Sequence, residues 1–167
     1  MNNDTTKKTY YPSGALRSEE EIVNDKREGK AKWFYEDGAL EAELYYKDDK
    51  REGPYKSYYE NGNVWQESHY KNDKLEGVSK WYYEDGLLAA EMKYKNGVQQ
   101  GETKWYYKSG KVKMIENYND GKLHGFTKGF DSEGNLLYEE RFYNGEKKLV
   151  RKYDKNGYVE QEREIGD

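Results

Sequence analysis

The sequence is poor in the residues that build an ordinary globular core. Leu, Ile, Val and Phe together number 24 of the 167 residues, about 14%, whereas packed domains usually exceed roughly 20%. So little apolar area is typical of disordered chains, because it cannot offset the conformational entropy lost on folding. The composition therefore argues against a two-layer domain with an aliphatic core and against a coiled coil. No apolar run approaches the length of about 18 residues that a membrane helix needs.

Cysteine is absent, and so is any excess of positive charge. Without Cys the chain forms neither disulfides nor thiolate metal sites, and its redox compartment stays undecided. The net charge is −4, with 29 basic side chains interspersed among 33 acidic ones. Such a mixed surface offers no basic footprint for nucleic acid or anionic lipid. The start, Met1-Asn2-Asn3-Asp4, shows no hydrophobic signal region, so we expect none in this sequence.

Aromatic residues and glycine are abundant instead, and they recur at a fixed interval. The chain has 19 Tyr, 4 Trp and 17 Gly but only 2 Pro, which disordered chains do not show. Two glycine series, each spaced by 24 residues, run along the chain: Gly14, Gly38, Gly62, Gly86, Gly110 and Gly134, and Gly29, Gly53, Gly77, Gly101 and Gly125. We predict one repeat domain over 1–167, with about six 24-residue units over 10–148 and a degenerate capping unit over 149–167.

Each unit is predicted to contain two strands and two turns. Pairs such as Asn96-Gly97 and Asp120-Gly121 tolerate positive φ at both centres of a type I′ hairpin turn. The other turn is slightly longer and ends in Gly, as in Glu36-Asp37-Gly38. Strands joined by tight turns are antiparallel neighbours. The predicted fold is all-β: a single-layer, elongated, twisted antiparallel meander sheet built from tandem β-hairpin repeats.

Charge indicates the register of these strands. If 36–39 form a four-residue loop, Tyr35 lies opposite Leu40 and Lys32 lies opposite Glu43. A slip of one residue would mix the charged and apolar faces, so the pattern favours this pairing. The same spacing predicts the pairs Lys8–Glu19, Lys56–Glu67, Lys80–Glu91 and Lys128–Glu139, with Lys104 facing Ile115.

The second glycine column falls on the face that carries the Trp residues. There, glycine lets an aromatic ring lie across the bare backbone, as we expect at Gly101. The alternative is that Gly101 merely ends the turn.

The aromatic columns divide into two groups with different predicted roles. One face forms a structural ladder that replaces the missing core: Trp33, Tyr35, Tyr59, Trp81, Tyr83, Trp105 and Tyr107. The other face sets rings among Lys and Glu, which matches the composition of protein-binding hot spots. The partner-binding residues predicted there are Trp65, Phe34, Tyr45, Tyr58, Tyr82 and Tyr106. Trp65 is the leading candidate, because it replaces Glu41, Ala89 and Lys113 in its column.

Residues for catalysis are scarce. The two histidines, His69 and His124, occupy variable repeat positions and are best interpreted as surface replacements. No nucleophile motif and no phosphate-binding loop is present, and the acidic turn pairs lack the ordered oxygens of a Ca²⁺ loop. We expect no catalytic residues, no metal site and no cofactor.

The units resemble a known repeat. The stretch from Tyr94 through Asn96-Gly97, Gly101 and Trp105 to Gly110 resembles MORN repeats, and more closely the bacterial variant found in a family of antitoxins. The resemblance covers roughly residues 10–148. It implies an extended or curled antiparallel sheet that acts as an interaction scaffold, in some bacterial members an immunity protein for a secreted toxin. Eukaryotic MORN arrays are linked with membrane attachment, which the negative net charge disfavours here.

We therefore predict a non-enzymatic protein-binding scaffold, with an antitoxin or immunity role as the form that the resemblance suggests. A cell-surface or envelope structural protein or adhesin is the alternative, followed by a lipid-associated module. The expected partner is another protein such as a toxin, and not nucleic acid, while the chain is a monomer or a weak edge-to-edge dimer. An antitoxin would be cytoplasmic, whereas an envelope or secreted protein would have lost a signal peptide.

Overall fold

The computed structural model describes residues 4–166, and their regular structure is entirely β. The strands form two compact units, one ending at Gly86 and the other beginning at Leu87. The first unit contains β1 (Asp4–Tyr10), β2 (Leu16–Val23), β3 (Lys26–Phe34), β4 (Leu40–Lys47), β5 (Lys50–Tyr58), β6 (Val64–Lys71), β7 (Lys74–Leu75) and β8 (Gly77–Tyr82). The second contains β9 (Leu88–Lys95), β10 (Val98–Gln99), β11 (Gly101–Tyr106), β12 (Val112–Asn119), β13 (Lys122–Leu123), β14 (Gly125–Phe130), β15 (Leu136–Tyr143), β16 (Glu146–Tyr153) and β17 (Val159–Glu164).

Within each unit the strands follow one another as an antiparallel meander of hairpins, which confirms the predicted fold class. In the first unit β1 pairs with β2, β2 with β3, and so on to the pairing of β6 with β7 and β8. The second unit repeats this order from β9 to β17. The described residues include no helix that could cross a membrane. The boundaries at 10–148 and 149–167 stay predictions.

The two-residue turns have the predicted conformation. Asp48 and Asp49 have φ of 48° and 64°, and Asn96 and Gly97 have φ of 52° and 81°. Positive φ at both central residues defines a type I′ turn, whose twist matches that of the strands. Asn, Asp and Gly occupy these positions because they tolerate the left-handed region best.

The longer turn differs from the prediction by one residue. The Tyr35 amide donates to the Ala39 carbonyl at 2.8 Å and the Gly38 amide donates to the Tyr35 carbonyl at 2.9 Å, so the loop has three residues. Gly38 takes φ of 91°, as this type of three-residue hairpin loop requires. Leu40 consequently lies opposite Phe34 and not Tyr35, and the predicted Tyr35–Leu40 pairing is wrong.

A β-bulge at Glu41 compensates for the shorter loop. Beyond this extra residue, Trp33 faces Ala42 and Lys32 faces Glu43, as predicted. The predicted register is also confirmed elsewhere in the two units, at Lys8–Glu19, Lys56–Glu67, Lys104–Ile115 and Lys128–Glu139. The charge pattern therefore fixes the register in the middle of each hairpin. The extra residue at the bulge shifts the register by one residue near the three-residue loop.

The most deeply buried side chains are small. Ala31, Ser79, Ala90 and Thr103 are at most 1% exposed, while the surrounding rings remain half-buried. Small side chains let the large rings lie close to the backbone, so that rings shield the sheet in place of an aliphatic core.

Glycine in the second column serves the backbone conformation, which corrects the expectation of aromatic cover at Gly101. Gly101 has φ of 78°, and the nearest atom to an added Cβ is Lys93 Cδ at 3.9 Å. An aromatic ring does lie over glycine at Gly129, where an added Cβ would collide with the ring of Tyr138. This is the position where Trp33 and Trp105 stand in other repeats.

Within each unit, hydrogen bonds at fixed offsets join successive repeats. The Tyr35 and Tyr59 hydroxyls donate to the carbonyls of Tyr58 and Tyr82, both at 2.7 Å, and Tyr11 and Tyr107 make the same bond to Phe34 and Phe130. At the other end of the strands, side chains from one repeat cap the turn amide of the following one. The acceptor–donor pairs are Glu28 with Asp48, Glu52 with Asn72, Gln100 with Asp120, and His124 with Asn144.

Candidate interaction surface

The face that carries the Lys and Glu columns holds a regular hydrogen-bond network. In each case a Tyr hydroxyl donates to the Glu of the preceding repeat: Tyr58 to Glu43 at 3.1 Å, Tyr82 to Glu67 at 2.9 Å, Tyr106 to Glu91 at 2.9 Å and Tyr153 to Glu139 at 2.6 Å. Lysines bind the same carboxylates: Lys30 to Glu43 at 2.6 Å, Lys56 to Glu67 at 2.7 Å and Lys128 to Glu139 at 2.8 Å. We call this set the carboxylate network.

The contacts of the network shift the pKa of several of its groups. The hydrogen bond from Lys56, reinforced by that from Tyr82, lowers the pKa of Glu67. Lys30 likewise lowers the pKa of Glu43. Burial and the hydrogen bond to Glu91 raise the pKa of Tyr106 to about 12. At neutral pH these carboxylates are therefore ionised and this phenol is protonated, which suits them to act as hydrogen-bond acceptors and donor in the network.

One interruption removes both partners of this hydrogen bond. Ile115 replaces Glu in its column, and the residue that follows it by 15 positions, as Tyr106 follows Glu91, is Phe130. At this joint both the carboxylate and the phenol hydroxyl are absent. Lys104, which faces Ile115, binds Glu102 at 2.8 Å instead. The joint replacement was visible in the sequence, but Phe34 follows Glu19 at the same spacing, so the columns alone gave only a weak signal of the network.

The structure places most of the predicted partner-binding rings inside this network. Phe34, Tyr58, Tyr82 and Tyr106 are half-buried, and the three hydroxyls are bonded to Glu as described. Tyr45 is 39% exposed, with the Lys30 ammonium 5.9 Å from its ring centre. Of these five, Tyr45 is therefore the residue best placed to contact another molecule.

Trp65 lies apart from these rings. It is the extra residue of a β-bulge, since Ser57 faces Gln66 and Tyr58 faces Val64. Its side chain is 45% exposed, and its ring centre lies 6.4 Å from that of Tyr59, a member of the predicted structural ladder. The sequence could not show this, because the bulge shifts Trp65 out of strict alternation.

Beside the carboxylate network of the first unit lies a row in which every repeat has a different residue. Lys30 faces Tyr45, and Pro54 faces His69. Val78 continues the row, and it is 53% exposed. Because side chains alternate across a strand, residues two positions from Lys32, Glu43, Lys56 and Glu67 share their face. We call Lys30, Tyr45, Pro54, His69 and Val78 the first strip; Lys30 also belongs to the carboxylate network through its bond to Glu43.

The second unit carries the equivalent row. Glu102 faces Asn117, and Phe126 faces Arg141. The Asn117 amide donates to the Phe126 carbonyl at 2.8 Å, and Phe126 is 37% exposed. We call Lys93, Glu102, Asn117, Phe126 and Arg141 the second strip. Its composition is mainly charged and polar, whereas the first strip is mainly apolar and aromatic.

The two histidines have unlike surroundings. His69 belongs to the first strip and is exposed. His124 caps a turn through Nδ1, 3.5 Å from the Asn144 amide, and its ring lies 5.2 Å from that of Tyr143. Within residues 4–166, no three His, Asp or Glu side chains are grouped so that they could hold a metal ion.

Comparison with known proteins agrees with the repeat architecture. The family model described as "MORN repeat variant" matches five successive segments: 4–24, 27–48, 51–72, 75–96 and 99–120. A search of curated proteins found no match. The five segments cover most of the chain and coincide with its hairpins, and repeats of this kind form scaffold modules. The chain therefore belongs to the MORN repeat variant family.

Proposed function

We propose that this chain is a non-enzymatic scaffold that binds another protein through the first strip. The observation that carries the proposal is the contrast between neighbouring columns of one face. The Lys, Glu and Tyr columns of the carboxylate network keep their residue type in most repeats, with Ile115, Phe34 and Phe130 as exceptions, while the adjacent columns change in every repeat. A residue that serves the fold is needed equally in each repeat, whereas a residue that serves a partner needs to suit only one place on that partner.

The chemistry of the first strip suits a protein surface. Tyr45, Pro54 and Val78 offer exposed apolar area, and an aromatic residue beside a cation is typical of binding hot spots. The cation of the strip, Lys30, is already bonded to Glu43 at 2.6 Å. Anionic lipid and single-stranded nucleic acid both require several cations along one surface, which the strip does not provide.

The resemblance to bacterial immunity proteins suggests a toxin as the partner, neutralised by occlusion. An envelope spacer is the alternative, but a spacer has no use for a row that differs between repeats. Co-expression with the captured partner separates the two: an immunity protein restores growth of cells that make the partner, and a spacer does not.

Site-specific photo-crosslinking tests the proposed surface. A benzophenone side chain replaces Tyr45 in one variant and Trp65, a similarly exposed residue outside the strip, in the control. We expect a discrete protein adduct from position 45 and none from position 65. An adduct from position 65 alone would move the binding surface to the bulge and overturn the assignment.

Affinity measurements on the captured protein complete the test. Val78→Asp places a charge in the strip and should weaken binding at least tenfold, because it buries an unpaired carboxylate. Tyr82→Phe alters the carboxylate network outside the strip and should leave the affinity unchanged. Equal losses in the two variants would show that binding responds to the fold and not to the strip.

A further inference from the structure

The first and last strands of the described chain, β1 and β17, carry complementary halves of the motif that joins neighbouring repeats. Every described residue of both strands is exposed. Among the described residues of its own unit, β1 pairs only with β2, and β17 pairs only with β16. The outer edge of each strand therefore offers its backbone groups to another strand.

Most of the described internal joints follow one rule. A Glu on the second strand of a repeat faces a basic residue on the first strand of the next repeat, and a Tyr two positions beyond that base donates to the Glu. Two joints depart from it, because Phe34 follows Lys32 opposite Glu19, and Phe130 follows Lys128 opposite Ile115. At one joint Glu43 faces Lys56 and Tyr58 donates to Glu43. Glu67 with Lys80 and Tyr82 follows the rule, as does Glu91 with Lys104 and Tyr106.

The strand β1 displays the donors of this motif, and β17 displays the acceptor. Lys8 and Tyr10 have the spacing of Lys56 and Tyr58, and Tyr10 is 59% exposed. On β17, Glu162 faces Arg151 and binds it at 2.7 Å. Glu19, which lies between two lysines, shows that such a Glu accepts a base on each side: Lys8 at 3.9 Å and Lys32 at 3.4 Å.

We propose that the chain associates head to tail with a second copy, so that β1 of one copy adds to β17 of the other as an antiparallel neighbour. Glu162 of the first copy then faces Lys8 of the second and accepts a hydrogen bond from its Tyr10. The contact reproduces an internal joint of the repeat array between two molecules. It involves the strand edges and not the first strip, so it is independent of the function proposed above.

Charge favours the pairing of β1 with β17 over the pairing of two β1 edges or two β17 edges. Two β1 edges would bring together Lys7 and Lys8 from both copies, and two β17 edges would bring together their glutamates. The head-to-tail register contains one unfavourable pair, Arg163 opposite Lys7, on the other face of the sheet. The association is therefore weak and depends on salt, and Arg163→Gln should strengthen it.

Sedimentation velocity of the full chain over a wide concentration range tests the proposal. We expect self-association in about 20 mM salt that disappears in about 500 mM salt, because screening weakens exposed charge pairs. Lys8→Glu and Glu162→Lys should each be monomeric. An equimolar mixture of the two should associate again, because each charge-reversed edge then meets its complement.

A conservative variant separates a loss of association from a loss of folding. Tyr10→Phe removes one exposed hydroxyl and should weaken association about fivefold while the circular dichroism spectrum stays unchanged. A chain that remains monomeric at every concentration would overturn the proposal. So would charge-reversed variants that do not associate when mixed, or association that is unaffected by Tyr10→Phe.

Discussion

Replacing Tyr106 by Phe isolates one hydrogen bond of the carboxylate network. The hydroxyl lies 2.9 Å from Glu91 and is part-buried. A hydrogen bond to a charged group contributes about 1.5–3 kcal/mol, and partial exposure places this one at the lower end. We therefore expect Tyr106→Phe to lower the free energy of unfolding by about 1.5 kcal/mol.

The repeat itself supplies the compensating change. Ile115 and Phe130 show that an Ile–Phe pair fits the same two columns. Glu91→Ile alone removes the acceptor for the Tyr106 hydroxyl and should also destabilise. The double variant Glu91→Ile/Tyr106→Phe should lose less than the two single losses combined, with a coupling of about 1–1.5 kcal/mol.

Urea unfolding at neutral pH measures all three variants, with Tyr158→Phe as the control because Tyr158 is 72% exposed. The control should unfold at the wild-type urea concentration. If the coupling falls below about 0.3 kcal/mol, the two side chains act independently, and the structural role assigned to the network is wrong.

Absorbance titration of the Tyr106 phenol adds a second readout. The folded pKa of Tyr106, about 12, lies above the unfolded value of about 10. Its contribution is therefore complete below pH 10 and lost as the pH rises through about 12.

Three further results are expected. Because the pKa of Glu67 is lower in the folded state than its unfolded value of about 4.3, the ionised side chain stabilises the fold above that value, and this contribution is lost as the pH falls through the folded pKa. Glu67→Gln should therefore flatten the acid side of a plot of urea midpoint against pH. An unchanged slope would contradict this. Gly129→Ala places a Cβ in the Tyr138 ring and should lower the free energy of unfolding by about 1–3 kcal/mol, measured by thermal unfolding. An additional Tyr138→Leu should restore part of the loss. Equal melting temperatures of Gly129→Ala and the wild type would refute the close contact. Asp73→Gly removes the acceptor for hydrogen bonds donated by the amide and Nε of Arg51 and should cost less than about 1 kcal/mol because the pair is exposed. An additional Arg51→Leu should cost about 0.5–1 kcal/mol more, because the guanidinium also lies 4.3 Å from the centre of the Tyr70 ring; no second loss in urea unfolding would show that this ring contact does not stabilise the fold.

Residue type at a repeated position was enough to predict the turns and the central register. Asn-Gly and Asp-Asp pairs permit few backbone conformations, and a Lys opposite each Glu allows only one alignment of the strands. These are local constraints that one unit displays by itself. The family and the all-β fold followed from them.

Features that depend on three-dimensional closure were not predictable in the same way. The bulge at Glu41 arises because a three-residue loop closes the hairpin more tightly than a four-residue one, and no residue at the bulge marks it. Trp65 was consequently grouped with rings from which it is separate. Tyr58 was predicted to contact a partner, although its hydroxyl donates to Glu43 across the repeat boundary.

The two-strand repeat also sets a distance scale along each strip. Strands in a sheet lie about 4.8 Å apart, so successive positions of a column are separated by about 9.6 Å. An extended peptide advances about 10 Å over three residues, and a helix advances about 10.5 Å over seven. A partner laid across the strands would meet one new column residue at each such step. Replacing Pro54 by Val, the residue type of the equivalent position Val78, would then change recognition at one step and leave the other steps unchanged. The specificity of each step along the strip could therefore be changed separately.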